Sequence, residues 1–203
     1  MKQQIPVTSL QRLPVYLNYL KSLENTDRNI SSGAIAAALG MGEVLVRKDL
    51  AYTSAQGKTR TGYRCGELIS AIEEYLGCNR VLPAVIFGAG GLGRALMSYG
   101  GFKNYGINIV AAFDNDPDKT DKFVADIRIC RVSEAAEVIR RHNVKLAVIC
   151  VPASVAQEVC DTLVGCGICA VLNFAPVLLK VPEGVNVRNI DVAANLAILS
   201  SQI

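Results

Sequence analysis

Residues 84–114 read AVIFGAGGLGRALMSYGGFKNYGINIVAAFD, and no other stretch restricts the possible folds so severely. An apolar run, Ala84–Phe87, enters Gly88-Ala89-Gly90-Gly91-Leu92-Gly93. A helix-like segment follows, then a second apolar run, Ile107–Phe113, that ends on Asp114. Strand, glycine loop, helix, strand and acid in this order make a βαβ unit that grips a dinucleotide. Gly88 serves the tight turn, Gly90 the close approach of backbone to a pyrophosphate, and Gly93 the packing of helix on strand. The pyrophosphate would rest on the N–H groups that open the helix, where the macrodipole also favours an anion. Asp114 falls 21 residues after Gly93, where a carboxylate can accept hydrogen bonds from both ribose hydroxyls. Asn115-Asp116-Pro117-Asp118 bring no Arg or Lys to hold a 2′-phosphate. NAD+ and NADH are therefore expected in preference to their phosphorylated forms.

The remaining chain is long enough for more than this unit. At 203 residues, 51% of them hydrophobic, it can bury one large or two small cores. The net charge is +3, but it is unevenly spread. Arg47, Lys48, Lys58, Arg60 and Arg64 face one acid, Asp49, whereas 12 bases meet 11 acids from Arg80 onward. A local cluster of this kind reads as an anion-binding face. Met1–Pro14 lacks the apolar core of a secretory signal, and no apolar run reaches the ~18 residues of a membrane span, so a cytoplasmic protein is expected. The seven cysteines are an odd number, and Cys130, Cys150 and Cys160 sit inside apolar runs. They fit small buried hydrophobes in a reducing compartment, not a disulfide framework.

The most plausible boundary is at Leu76–Pro83. After it, strands are expected near 84–87, 107–113, 127–130, 146–151, 169–172 and 185–190. Helices are expected near 92–99, 133–142, 154–165 and 192–201. The alternation predicts an α/β fold with a doubly wound parallel sheet. Before the boundary, Leu10, Leu13, Leu17 and Leu20 recur at helical spacing. A second helix begins at Ser31 or Ser32 and runs through Leu39. Gly40-Met41-Gly42 breaks it, and a third spans about Glu43–Ala51: a helix-turn-helix. Its third helix would pack Val44, Leu45 and Leu50 inward and turn Arg47 and Lys48 outward, as a recognition helix meets base edges and phosphates. Residues 52–63 have the polar, glycine-containing tip of a β-hairpin with Lys58 and Arg60 at its end. Three helices and a hairpin make a winged helix, whose bland alternative is a charged face on an ordinary helical subdomain.

Three further features carry less. Cys166-Gly167-Ile168-Cys169 has no second Cys pair or His pair to close a zinc site, and packing cysteines outweigh a thiol switch. His142, the only histidine, falls at a helix C-terminus beside Arg140 and Arg141 and takes a surface role. Asp191 after the last strand and Tyr99 after the cofactor helix could reach a nicotinamide, or serve as a cap and a packed ring. With no catalytic acid or base in sight, an NAD-dependent oxidoreductase is the weaker reading. A CoA-binding module is the other rival, opposed by Asp114 because CoA carries a 3′-phosphate.

With these residues assembled, the chain resembles the redox-sensing transcriptional repressor family Rex over essentially its whole length. The resemblance rests on Gln11-Arg12-Leu13-Pro14, the VRKDL of Val46–Leu50, Gly62-Tyr63, GAGGLG and the FDNDP of Phe113–Pro117. It continues through Val151-Pro152, the LNFAP of Leu172–Pro176, Val181-Pro182 and Asn189-Ile190-Asp191. It implies a winged-helix domain over 1–79, an NAD(H)-binding Rossmann domain over 80–190, and a C-terminal helix over 191–203 that a homodimer exchanges. It further implies binding to an inverted-repeat operator with TTGTGA-like half-sites and release of that DNA by NADH. On this resemblance Arg12, Arg47, Lys48, Lys58 and Arg60 are DNA contacts. Gly88, Ala89, Gly90, Gly91, Leu92, Gly93, Asp114, Asn115, Val151 and Pro152 are cofactor contacts. Asn173, Phe174, Ala175, Pro176, Tyr99 and Asp191 would lie toward the nicotinamide. Val192 stands where many relatives have an aromatic, and Thr53-Ser54-Ala55 where aromatic and glycine residues open the wing.

Overall fold

The computed structural model describes residues 5–203; the first four residues of the expected 1–79 domain lie outside it. The chain divides into two compact units, Met1–Arg80 and Val81–Ile203.

The first unit comprises α1 (Val7–Lys21), β1 (Asn29–Ile30), α2 (Ser32–Leu39), α3 (Glu43–Leu50), β2 (Tyr63–Arg64) and α4 (Cys65–Leu76). α1 buries Leu13, Tyr16, Leu17 and Leu20, the i, i+3, i+4, i+7 face of an amphipathic helix. Leu10, expected on that face, is exposed, because the stripe runs through Tyr16 instead. Ser31 caps α2, its Oγ accepting from Ala34 N–H at 3.0 Å. α3 buries Val46, Asp49 and Leu50, whereas Val44 and Leu45 remain 55% and 40% exposed. Leu50 lies inward as expected, whereas Val46 and Asp49 take the places expected for Val44 and Leu45, and helical geometry explains it. At 100° per residue, positions 46, 49 and 50 share one arc, and Val44 shares the opposite arc with Arg47 and Lys48.

The expected hairpin over 52–63 forms, but only at its tip. Its only ladder is the Lys58–Gly62 bridge, closed by N–H···O bonds of 2.8 and 2.9 Å, with Arg60 at the tip in left-handed backbone (φ 73°). The wing is anchored from outside, since β2 pairs antiparallel with β1, a partner that two residues of sequence do not reveal. Thr53, one of the departures noted above, closes α3: its hydroxyl donates to Leu50 C=O at 2.7 Å.

The second unit adds β3 (Leu82–Phe87), α5 (Gly91–Met97), β4 (Ile107–Asp114), β5 (Phe123–Val124) and β6 (Ile127–Arg131). It continues with α6 (Ala135–Arg141), β7 (Leu146–Ile149), α7 (Ala153–Gly165), β8 (Ala170–Asn173), β9 (Asn186–Asn189) and α8 (Val192–Ser200). One seven-stranded sheet has the order β5-β6-β4-β3-β7-β8-β9. All neighbours are parallel except β5 with β6, a short antiparallel edge not anticipated from sequence. Successive residues of each strand feed opposite cores. Val85, Phe87, Ala111, Phe113, Ala147 and Ile149 pack with residues of α6 and α7. Ile86, Ala112, Ile129 and Val148 pack with Met97 of α5. Helices therefore cover both faces, and the order reverses beside β3, which places a crevice at the C-terminal ends of β3, β4 and β7. α8 buries none of its residues; Val192, Leu196, Ile198 and Leu199 all stand about 60% exposed.

Candidate functional site

At that crevice the loop Gly88–Gly93 joins β3 to α5. Gly88 adopts φ +99°, and a Cβ there would meet the Cys150 carbonyl at 2.7 Å; a Cβ on Gly93 would meet the Gly88 carbonyl oxygen at 1.8 Å. The sequence supplies glycine at both points because the loop folds back on itself. At Gly90, by contrast, a Cβ would meet nothing within 4 Å. The space there belongs to a cavity of about 760 Å³ bordered by Gly88, Gly90, Asp114, Asn115, Val151 and Pro152.

Asp114 closes the end of β4 and is 7% exposed. Its Oδ2 accepts from Ala89 N–H at 2.7 Å and its Oδ1 from Asp116 N–H at 2.9 Å. The acid thus holds the glycine loop in place. A carboxylate has about four acceptor positions, so two remain, met among the described residues only by Lys119 Nζ at 3.4 Å from each oxygen. Two ribose hydroxyls would fill them. Sequence reasoning stopped at Asp118 and missed Lys119, whose amine also lies 3.3 Å from Asp116 Oδ2. Hydrogen bonding to Asp116, then Asp114, raises its affinity for its proton. A cation is present after all, but two carboxylates already hold it.

The cavity continues along α7 past Val155, Glu158, Val159 and Thr162, a stripe at i, i+3, i+4 and i+7 that reads in sequence as ordinary sheet packing. Cys150 also borders it, and burial pushes its thiol up to about 12, so it stays protonated at neutral pH.

The remaining cofactor candidates divide. Leu92 and Gly91 open α5, and Ala89 is buried within the loop. Asn173 is fully buried at the end of β8, donating to Ala175 C=O, Val177 C=O and Asn189 Oδ1, and it shapes the Phe174-Ala175-Pro176 turn at the same sheet edge as Asp114. Asp191 caps α8 at that edge, accepting from Ala194 N–H at 2.8 Å. Tyr99 does not join them. α5 runs back across the sheet, so Tyr99 stands at the opposite edge, edge-on to Phe102 and beside Ile107 and Asn108 at the start of β4. Within its own chain it cannot reach the nicotinamide end. His142 is exposed at the end of α6, all seven cysteines are free, and no group of metal ligands forms among the described residues.

In the first unit, Arg47, Lys48, Lys58 and Arg60 are exposed, on the outer arc of α3 and at the wing. Arg12 differs. Its guanidinium closes on Asp49, Nε to Oδ2 at 2.6 Å and Nη2 to Oδ1 at 2.8 Å, and Tyr16 Oη donates to Oδ2 at 2.6 Å. The expected DNA contact is thus a partner of a buried acid. Burial alone would raise the Asp49 carboxyl, but hydrogen bonds from Arg12 and Tyr16 outweigh it and hold it below its ordinary value. Burial, with the bond to Asp49, pushes the Tyr16 phenol up to about 12.

A depressed acid stabilises above its unfolded pKa, about 4, and that stability is lost as pH falls through the folded value. A raised phenol stabilises below about 10, and this is lost as pH rises through about 12. The thermal-stability advantage of the parent over Tyr16→Phe should therefore be constant from about pH 5 to 9 and shrink toward pH 12. A difference that stays constant to pH 12 would mean that burial and the bond to Asp49 do not raise the Tyr16 phenol in solution.

Residues 80–177 match the family model described as "CoA binding domain", and residues 4–51 match "Putative DNA-binding protein N-terminus". Relatives similar over both units are the redox-sensing transcriptional repressors Rex of Pelotomaculum thermopropionicum and of Streptomyces coelicolor. The first is 42% identical, covering 97% of this chain and 93% of the relative; the second is 41% identical, covering 97% and 76%. Among solved structures, RSP in complex with β-NAD+ and operator DNA is similar with a TM-score of 0.93 at 31% identity, covering 99% of this chain and 93% of RSP. RSP with β-NADH gives 0.87 at 30% identity, covering 99% and 95%.

Proposed function

The chain belongs to the redox-sensing transcriptional repressor Rex family, and from that premise we propose that it is a repressor that binds an inverted-repeat operator as a homodimer and releases it when NADH occupies the crevice. One observation carries this reading: a single chain joins an acid-tipped glycine-loop cavity to a helix whose outer arc presents Arg47 and Lys48. NAD+ and NADH fit the residues present. Gly90 leaves the room a pyrophosphate needs, and Asp114 keeps acceptor positions for a ribose diol.

Arg47 and Lys48 take base edges and phosphates in the major groove, and Val44 between them offers an apolar surface to a thymine methyl. Lys58 and Arg60 at the wing contact phosphate or minor groove. The apolar exposed face of α8 supports a partner subunit as its cover. Half-sites about one helical turn apart require both heads to engage together. The crevice therefore controls DNA only through a difference in nucleotide affinity between two arrangements of the dimer. About 3 kcal/mol of difference shifts DNA affinity about a hundredfold. The relatives are named as repressors, and a regulator without turnover, working in the cytoplasm, is the corresponding proposal.

The test is fluorescence anisotropy of a labelled duplex with TTGTGA-like half-sites at one fixed salt concentration, with saturating NAD+ or NADH. Tight binding with NAD+ that collapses with NADH is expected; equal affinity in both would sink the sensing role. The acid is tested separately. Asp114→Ala should weaken NADH and NAD+ alike by roughly 30- to 100-fold, the worth of charge-assisted hydrogen bonds to one carboxylate. It also releases Lys119 from one of its two carboxylates and leaves Asp116, so the NADPH-to-NADH affinity ratio should rise. Unchanged NADH affinity in calorimetry would remove Asp114 from the site.

A further inference from the structure

Resting on the reading of α3 as the recognition helix, we infer that Asp49, gripped by Arg12 and Tyr16, is the positioning residue that sets the rotation of α3 about its own axis. Asp49 is adjacent in sequence to Arg47 and Lys48 yet lies 1% exposed on the opposite arc of the helix. Its carboxylate accepts three hydrogen bonds of 2.6–2.8 Å, all from α1. Arg12 and Tyr16 lie four residues apart, and Ser9, one turn earlier, accepts from Arg12 Nη2 at 3.3 Å. These groups occupy a single face of α1.

The apolar neighbours orient α3 only coarsely. Val46 and Leu50 bury area, and area burial is non-directional. A forked guanidinium on both oxygens of one acid is directional. A slip of one residue, about 100°, would carry Asp49 off the fork and swing Lys48 toward the core. The charged pair therefore acts at a distance from DNA: Arg12 touches no base in this assignment, and Asp49 would repel phosphate if it turned outward. What the pair controls is where the Arg47 and Lys48 side chains emerge, which decides base-edge geometry. Total positive charge, and with it non-specific attraction to phosphates, is left as it was.

The experiment measures affinity for the operator duplex and for a scrambled duplex of equal length, side by side at one salt concentration, together with NADH affinity. Parental binding of the operator is the control that belongs to the functional reading; the ratio of operator to scrambled affinity belongs to this assignment. Arg12→Lys keeps the charge and loses the fork. Its operator affinity should fall at least about tenfold, the size of one misplaced base contact, with scrambled-duplex and NADH affinities within about twofold of the parent. A triple variant, Arg12→Met with Tyr16→Phe and Asp49→Leu, replaces the polar cluster by apolar packing, which commonly preserves stability. It should show the same loss of ratio with its thermal midpoint near the parent's. A parental ratio in Arg12→Lys would overturn the assignment. So would equal loss of operator and scrambled binding, which is the signature of an unfolded head and not of a rotated helix.

Discussion

Gly93→Ala should cost the protein its dinucleotide binding and part of its stability together. The added Cβ would lie 1.8 Å from the Gly88 carbonyl oxygen and 3.0 Å from its carbon. Both clashing atoms are backbone, so no side chain can swing away. α5 must retreat by roughly an ångström, and a misplacement of that size can cost about a hundredfold in a preorganised site. Overpacking adds about 1–3 kcal/mol of destabilisation. Gly90→Ala is the informative companion. Its Cβ meets nothing within 4 Å and its φ of −73° suits alanine, so stability should hold within about 0.5 kcal/mol while the methyl occupies pyrophosphate space. Calorimetric NADH titration and thermal unfolding of both variants decide the matter. Parental NADH affinity in Gly93→Ala would mean that the fingerprint loop does not carry the phosphates, and a large drop in the thermal midpoint of Gly90→Ala would mean that its cavity is closed in solution.

Arg47→Ala should have the other large effect, on DNA alone. A bidentate Arg–base contact is worth about 1–3 kcal/mol, and a symmetric dimer makes it once per half-site. Operator affinity should therefore fall by roughly a hundredfold or more, with discrimination against a mutated half-site reduced. The residue is exposed and packs on nothing in the core, so NADH affinity and the thermal midpoint should not move. Lys48→Ala separates the two kinds of contact. If Lys48 holds a phosphate, its loss weakens specific and non-specific DNA alike and lowers the salt slope by about one. Operator binding by Arg47→Ala at parental strength would take the recognition role away from the outer arc of α3.

The two effects sit in different units, and that separability is itself a property of the chain. Damage at the glycine loop should not reach operator binding by the nucleotide-free protein, and damage at α3 should not reach the nucleotide. The Asp49 cluster lies wholly within the first unit, so the same rule covers it: its disruption should leave the crevice untouched.

The sequence by itself determined what local chemistry dictates. Glycine at 88, 90 and 93 ahead of an acid at 114 leaves few backbones besides a βαβ crevice, and the alternation of apolar runs places six of the seven strands of that sheet to within two residues. Ser31 caps α2 as its hydroxyl predicts. The outward Arg47 and Lys48 and the inward Leu50 follow from helical period, whereas Val44 and Leu45, expected inward for their apolar side chains, are exposed.

Only the tertiary structure decided matters that depend on partners distant along the chain. Strand β2 finds β1 across 33 residues of separation, and no pattern within two residues can announce it. Asp49 reads as one more surface charge until α1 brings Arg12 and Tyr16 to it, turning an expected DNA contact into the clasp of a buried acid. Lys119 lies beyond the motif that selects the cofactor, yet the turn after β4 folds it back onto Asp114. Tyr99 follows the cofactor helix in sequence, but a helix antiparallel to its strand delivers its far end to the wrong edge of the sheet. In each case the physical reason is the same. Period and capping act within a turn or two of chain, whereas hydrogen bonds and ion pairs act on whatever the fold brings within about 3 Å.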